Sequence, residues 1–279
     1  MHRTIPVILV TVVILAFLLG GCQSAASNDQ TTVTYVGNSG FLVTIGDKKV
    51  LIDGILAGFP SEYSLPAEVT DLLYNSKPPF DKIDLILATH AHDDHFDVDQ
   101  VTAYLAGNPE TVFISTQEAA DMTLLLDSTL SGQVIAVPLK SGESQELEVN
   151  GIQIKTYDIS HGYGPGGETY PNLGFLVSVN GVKVFHAGDM DSGTVTAGYL
   201  QMLGLPDEQI DIAFMPHFIF RDTGSLLLAT DGVDARYYVP IHYHFTTPAF
   251  NTQLIKNVVP EAILFDKELD TWVLPPANP

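Results

Sequence analysis

The feature that most constrains the fold is an apolar segment that runs directly into a cluster of ionisable side chains. Residues 83–88 end in Leu-Ile-Leu-Ala, and such a run without polar alternation is typical of a strand buried on both faces. Positions 90–95 then read His-Ala-His-Asp-Asp-His. Three histidines and two aspartates within six positions, directly after a buried strand, indicate a functional loop at the end of a sheet.

The spacing of these side chains suits metal ions. His90 and His92 alternate, so in extended backbone their rings lie on one face. Asp94 and His95 follow where the chain must turn towards a helix. Two rings on one face would hold one ion, and the carboxylate with the third ring would hold another. Imidazole and carboxylate ligands suit zinc, manganese or iron.

The rest of the chain alternates strand-rich segments with helical ones. Residues 33–36, 41–45 and 50–53 predict an antiparallel meander, and Asn-Gly pairs at 150–151 and 180–181 predict hairpin turns. Further strands are predicted at residues 83–88, 111–115, 134–138, 146–149, 152–159, 174–179, 182–186, 211–215, 237–241 and 262–265, and helices at residues 67–74, 100–105, 116–126, 194–202, 225–230 and 251–258. This order predicts an α/β fold with two sheets covered by helices, a four-layer αββα sandwich.

The run from His90 to His95 resembles the H-x-H-x-D-H motif of the metallo-β-lactamase fold superfamily. Segments 37–41 and 50–54 are similar to the opening strands of that superfamily, and the resemblance extends to about residue 263. The order of His161, His-Ala-Gly-Asp at 186–189 and Pro-Ile-His-Tyr at 240–243 is similar to the branch that contains ascorbate-6-phosphate lactonase. The resemblance implies the metallo-β-lactamase fold and a metal-dependent hydrolase.

The resemblance also implies two divalent ions, most simply Zn²⁺, with Mn²⁺ or Fe²⁺ as alternatives. The implied ligands are His90, His92 and His161 for the first ion, Asp94, His95 and His242 for the second, and Asp189 as a bridge between them.

Several neighbouring residues leave alternatives open. His244 is an alternative to His242, because it lies two positions on and would face the same side of a strand. His186 is the last residue of a predicted strand, before Ala-Gly-Asp, and is expected to pack or support the site and not to bind a metal. Asp53 is either a simple turn carboxylate or an acceptor for an imidazole N–H of the histidine loop. Asp93, the variable position of the motif, is expected to be solvated or structural.

The chemistry of two neighbouring divalent ions predicts a hydrolytic reaction. Two ions about 3.5–4 Å apart would share a hydroxide, because coordination lowers the pKa of water to about 7, and this hydroxide would attack an ester, lactone or phosphodiester. Asp94 would pass a proton to the leaving group. His217 would donate to an oxyanion or contact substrate, or it is an ordinary loop residue, and Arg221 is a candidate contact for phosphate or carboxylate. The glycine- and proline-rich segment 162–171 predicts an irregular rim or lid beside His161.

The first 22 residues indicate export. Arg3 precedes an apolar stretch at 5–19, and Leu-Gly-Gly-Cys at 19–22 resembles the lipobox of bacterial lipoproteins. We therefore predict a lipoprotein signal peptide at 1–21, a flexible tether at 22–31 that begins with lipidated Cys22, and a hydrolase domain at 32–279. The protein would be exported and held on a membrane, at the cell surface or the periplasmic face. A plain membrane anchor and a cleaved peptide without lipid are the alternatives.

Composition and the motif residues argue against several other functional classes of protein. A formal net charge of −21 repels phosphate backbones, so nucleic acid is not an expected partner. Cys22 is the only cysteine, so the chain has no thiolate to offer a metal once that residue carries lipid. A di-iron redox protein is disfavoured, because His92 stands where such relatives have an acid. The remaining alternative to a hydrolase is a non-catalytic metal-binding surface lipoprotein.

Overall fold

Two β-sheets lie face to face between two layers of helices. The computed structural model describes residues 30–57, 63–163, 168–242 and 248–276. The strands are β1 (Thr31–Gly37), β2 (Gly40–Ile45), β3 (Lys48–Ile52), β4 (Leu85–Ala88), β5 (Val112–Thr116), β6 (Val134–Val137), β7 (Ser144–Val149), β8 (Ile152–Asp158), β9 (His161–Tyr163), β10 (Thr169–Tyr170), β11 (Leu173–Val179), β12 (Val182–His186), β13 (Ile212–Pro216), β14 (Tyr237–Ile241) and β15 (Thr271–Val273). The helices are α1 (Ala67–Tyr74), α2 (Val98–Gly107), α3 (Gln117–Leu126), α4 (Ala197–Met202), α5 (Thr223–Leu227) and α6 (Pro248–Val258).

Each sheet combines an antiparallel part with a parallel part. The first sheet has the order β15-β1-β2-β3-β4-β5-β6; β1 to β3 form the predicted antiparallel meander, and β3 to β6 run parallel. The second has the order β14-β13-β12-β11-β8-β7, in which β12, β13 and β14 are parallel. The predicted four-layer α/β arrangement is therefore confirmed.

Three apolar clusters hold the four layers together. One lies between the sheets, the second joins the first sheet to α1, α2 and α3, and the third joins the second sheet to α4 and α6. The apolar composition of β4 follows from its position. Leu85 and Leu87 pack between the sheets, while Ile86 and Ala88 pack against the helices. A strand with apolar neighbours on both faces cannot alternate with polar residues.

The strands run between two opposite ends of the molecule, which carry different kinds of connection. We call one the loop end: strands β3, β4, β12, β13 and β14 all finish there, and residues 53–54, 89–95, 187–191, 217–221 and 242 follow them. We call the other the hairpin end: it holds the turns at 46–47, 150–151 and 180–181 and the start of β1. The Asn150 side chain joins the two sheets at the hairpin end by donating to the carbonyls of Asp84 and Glu110.

Residues 262–265 do not form the strand that the sequence predicts. The Ile263 amide donates to the Tyr238 carbonyl at 2.9 Å, but no ladder with β14 follows. Pro240 lies two positions further along β14 and has no N–H to donate, so pairing along this edge cannot continue. The chain instead forms β15, which pairs with β1 in the other sheet and which the sequence did not predict.

The segment 162–171 is also more regular than predicted. Strands β9 and β10 pair antiparallel, with Thr169 opposite Tyr163 and Tyr170 opposite His161. Residues 164–167, between them, lie outside the described residues, as do the predicted signal peptide, Cys22 and His244. Thr31, predicted as the last residue of the tether, is the first residue of β1. No helix among the described residues is long and apolar enough to cross a membrane.

Candidate metal centre

The loop after β4 turns back on itself at the loop end and carries its ionisable side chains inward. The amides of His95 and Phe96 both donate to the His92 carbonyl at 2.9 Å, which closes the turn. His90, Asp94 and His95 are almost fully buried, whereas Asp93 is exposed. The turn therefore directs the motif residues towards two groups, while Asp93 points to solvent as predicted.

The first group consists of His90, His92 and His161. One ring nitrogen from each lies within 4.8 Å of the others, and His90 Nε2 is 3.1 Å from His92 Nδ1. His161 reaches the group from the first position of β9, so the hairpin β9–β10 holds this third ring. The three imidazoles that the sequence assigned to one ion thus lie together.

The second group consists of Asp94, His95, Asp189 and His242. His242 Nε2 is 3.2 Å from both Asp94 Oδ2 and Asp189 Oδ2, and His95 Nε2 is 3.1 Å from Asp189 Oδ1. His242 itself has a φ of 62°, a left-handed value that is uncommon for a residue with a side chain and is often found at functional sites.

Asp189 lies against both groups. Its Oδ2 atom is 3.6 Å from His161 Nε2 in the first group and 3.2 Å from His242 Nε2 in the second. Gly188, with a φ of 56°, turns the chain just before it. The Asp189 amide then donates to Asn172 Oδ1 at 3.1 Å. One carboxylate is therefore within reach of both groups.

The hydrogen bonds behind the loop fix which ring nitrogens face the cluster. Asp53 accepts hydrogen bonds from the Thr89 amide at 2.7 Å and the Thr89 hydroxyl at 2.8 Å, and it lies 2.8 Å from His95 Nδ1. Because the Thr89 hydrogen is used on Asp53, the hydroxyl accepts from His90 Nδ1 at 3.1 Å. Nε2 of both His90 and His95 is thereby directed into the cluster. Asp53 supports the histidine loop and is not a simple turn residue.

Three further residues support the cluster, two of which the sequence analysis did not single out. Asn38 donates to the Asp94 carboxylate at 3.2 Å, and Asn172 donates to two carbonyls while it positions Asp189. His186 is fully buried and hydrogen-bonds the Ser39 carbonyl, which agrees with a supporting role. Asparagine in a turn is common, so no sequence signal marked Asn38 or Asn172.

The charges of the second group balance one another. Burial alone would raise the pKa of Asp189, but His95 and His242 hold that pKa well below its ordinary value. Burial opposes protonation of the two histidines, yet the carboxylates raise the pKa of His95 well above its usual range and that of His242 to about 9. In the first group, burial followed by the charge of His95 lowers the pKa of His90.

The donor set fits divalent cations. His95 Nε2 and Asp189 Oδ1 are buried and lie 3.1 Å apart, but neither is aligned for a hydrogen bond with the other or with any group in the described part of the chain. A cation between such atoms would accept lone pairs from both, whereas leaving them without a partner is costly. Imidazoles and carboxylates in groups of three and four match the ligands of zinc and related ions.

His217 lies beside the second group. Its ring is parallel to that of His242, with centroids 6.5 Å apart. The Arg221 guanidinium donates to His217 Nε2, and burial together with the Arg221 charge lowers the pKa of His217 to about 4. The imidazole is therefore neutral at pH 7. Donation to an oxyanion from Nε2 requires that the contact with Arg221 first break, and a catalytic role of His217 stays a prediction.

A shallow cavity of about 390 Å³ opens over the motif loop. It is lined by Ala91, His92, Asp93 and Asp94. The ring centroids of Tyr170, on β10, and His92 are 5.4 Å apart, so the hairpin β9–β10 forms one side of the site. Tyr163, on the partner strand, is 64% exposed at the same rim.

Comparison with known proteins agrees with this fold and site. The family described as the β-lactamase superfamily domain matches residues 32–242. A UPF0173 metal-dependent hydrolase of Pyrococcus furiosus is 27% identical over 237 residues, which are 82% of this chain and 92% of that protein. The structure of Igni18, a metallo hydrolase from Ignicoccus hospitalis, superposes with a TM-score of 0.57 at 21% identity, over 88% of this chain and 98% of that one. A possible metal-dependent hydrolase from Veillonella parvula gives 0.60 at 18% identity, over 87% and 99%.

Proposed function

This chain belongs to the metallo-β-lactamase superfamily of metal-dependent hydrolases, and we propose that it uses two divalent ions to hydrolyse an ester, lactone or phosphodiester. The observation that carries the proposal is the position of Asp189, whose carboxylate lies beside His161 of one group and His242 of the other. The implied ions are Zn²⁺, with Mn²⁺ or Fe²⁺ as alternatives, because the clustered donors are imidazoles and carboxylates alone.

The proposed ligands follow from the two groups. His90, His92 and His161 would hold one ion, Asp94, His95 and His242 the other, and Asp189 would touch both. When bound, such ions supply an activated water at neutral pH and stabilise the negative charge that develops on the substrate. The overall reaction adds the elements of water across the scissile bond, so that one product gains the hydroxyl and the leaving group gains a proton.

The chain itself moves that proton through Asp94. Asn38 donates to the Asp94 carboxylate and His242 lies 3.2 Å from the same oxygen, so the carboxylate is held in one orientation at the edge of the cavity. Burial alone would raise the pKa of Asp94, but the hydrogen bond from His242 and the charge of His95 lower it. In the proposed reaction the ionised Asp94 carboxylate would accept the proton that the attacking water loses and pass it to the leaving group, so that the bond is cleaved with no net change in the protonation of the chain.

The decisive experiment compares two neighbouring carboxylates. Residues 23–279 are loaded with zinc and tested on a panel of phosphodiesters, lactones and carboxylic esters. Asp94→Asn is expected to lower the rate of hydrolysis at least 100-fold, on the order expected when a positioned acid–base group is lost. Asp93→Asn, with an exposed carboxylate in the same loop, is the matched control and is expected to keep its bound metal. Hydrolysis that survives both chelation and Asp94→Asn would refute the proposal, and tight metal binding without turnover on any substrate would favour the non-catalytic lipoprotein.

We also propose that the protein is exported and held on a membrane by lipid on Cys22. The support is the lipobox-like sequence Leu-Gly-Gly-Cys at 19–22, directly after an apolar stretch of signal-peptide length.

A further inference from the structure

The folded domain begins at the end opposite the metal centre. β1 starts at Thr31, which pairs with Ile45 beside the turn at 46–47, and it ends at Gly37, next to Asn38 and the Asp94 carboxylate. Six steps along a strand span about 20 Å. The chain that comes from Cys22 therefore enters at the hairpin end, about one strand length from the metal centre.

The hairpin end also carries exposed apolar side chains. Helix α3 runs back from the end of β5, and its last residues, Leu125 and Leu126, are 86% and 53% exposed. The residues after α3 lie at the hairpin end, because the Gln133 side chain donates to the carbonyls of Asn108 and Thr111 just before β5. Two neighbouring leucines in water are unfavourable unless another apolar surface covers them.

The hairpin end concentrates the few basic residues of the chain. After Cys22 the chain has 12 − 1 = 11 basic residues against 33 acidic ones. Five of the eleven lie beside the turns and strand starts of the hairpin end: Lys48, Lys49, Lys82, Lys183 and Arg236. Four of them pair with carboxylates there, so basic side chains lie among acidic ones at this end.

We propose that the hairpin end is the surface that this protein turns towards the membrane, and that the metal centre opens away from it towards soluble substrates. The proposal rests on the lipid anchor at Cys22 proposed above. It commits to a phospholipid surface as the occupant, because the chain from the proposed anchor enters there and because two exposed leucines lie there.

The length of the tether favours the same orientation. Residues 23–30 are eight residues, which reach at most about 28 Å. The start of β1 lies about one strand length, or about 20 Å, from the metal centre. Bringing the metal centre onto the membrane would therefore use most of the reach of the tether.

The test measures the distance of each end from the lipid headgroups. The full-length protein, lipidated at Cys22, is placed in vesicles of phosphatidylethanolamine and phosphatidylglycerol whose headgroups carry an energy acceptor. Because Cys22 is the only cysteine and its thiol is consumed by the lipid, a donor dye attaches only to an introduced cysteine. Leu125→Cys places the dye at the hairpin end, and Tyr163→Cys places it at the loop end. Both side chains are more than half exposed, so neither substitution disturbs the core.

Energy transfer from Leu125→Cys is expected to exceed transfer from Tyr163→Cys several-fold. Equal transfer from the two positions, or more from Tyr163→Cys, would overturn the proposed orientation. Cys22→Ala in the unlabelled protein serves as the control for anchoring, and it is expected to leave the vesicle fraction. If it stays, or if the unmodified chain never associates with vesicles, the anchor fails and the orientation fails with it. None of these readouts depends on turnover, so failure of the proposed hydrolysis is detected separately.

Discussion

Asp53 supports the histidine loop from behind the cluster. Its two oxygens contact the Thr89 amide and hydroxyl and His95 Nδ1, and its side chain is fully buried. It lies in neither group of candidate ligands. Its function is therefore to hold the histidine rings in the orientation that a metal ion needs, which is the usual role of a carboxylate behind a metal-bound histidine.

Asp53→Asn is expected to weaken zinc binding by about 10–100-fold while the fold persists. The amide keeps one acceptor oxygen but loses the charge that fixes His95, and asparagine tolerates the positive φ of 48° at this position. Competition against a fluorescent zinc chelator measures the affinity. Asp47→Asn, an exposed carboxylate in the turn at 46–47, is the control. Wild-type affinity in Asp53→Asn would show that Asp53 does not order the ligands.

At this scale the sequence predicted more of the candidate ligands than of their supports. The ligands carry their own chemistry and stand just after predicted strands, and the resemblance to the metallo-β-lactamase superfamily identified them as a set. Asn38 and Asn172 act only through contacts with Asp94 and Asp189, which lie 56 and 17 positions further along the chain. Such contacts depend on how the two sheets pack, and a local sequence pattern does not encode that packing.

At the scale of elements, the turn between β12 and Asp189 determines how closely the strand end packs against the histidine loop. A Cβ atom on Gly188 would lie 2.1 Å from Asn172 Oδ1 and 2.8 Å from Thr89 Cβ, and the φ of 56° disfavours any side chain. Both neighbours are themselves fixed by buried hydrogen bonds. The strand end, the supporting asparagine and the histidine loop therefore meet at a position that admits only glycine.

Gly188→Ala is expected to destabilise the protein by about 3 kcal/mol or more and to displace Asp189. Gly181→Ala is the matched control, because Gly181 also has a positive φ but a Cβ there would meet nothing within 4 Å. That variant should cost only about 1–2 kcal/mol of backbone strain. Chemical denaturation measures both free energies of unfolding. Equal losses would mean that the contacts around Gly188 contribute nothing.

Helices and strands were predicted correctly where the apolar residues repeat with a clear period. They were predicted poorly where a strand forms only because a neighbouring sheet edge accepts it. Helix α1 and strand β14 have the predicted bounds, and α3 begins one residue after the predicted start, because Thr116 is its N-cap. Residues 262–265 have strand-like composition, but the available edge of β14 contains Pro240. Strand β15 forms because the edge of β1 accepts it, and the three residues of β15 alone carry no such signal.

At the scale of the whole molecule, the start of the folded domain and the metal centre lie at opposite ends. The first strand begins at the hairpin end, whereas the loop end holds the candidate metal ligands. The chain has 33 acidic and 12 basic residues, and this excess of negative charge is consistent with attraction of cations. In the proposed orientation the metal centre faces away from the membrane and towards the solution.

The most direct test of the central claim is the metal content of residues 23–279. After loading with zinc and removal of excess ion, elemental analysis is expected to find about two ions per chain, since the seven clustered side chains form two ligand groups joined by Asp189. Asp189→Asn is expected to lower this content while circular dichroism confirms that the protein stays folded. A folded wild-type chain that retains no zinc, manganese or iron would contradict the account.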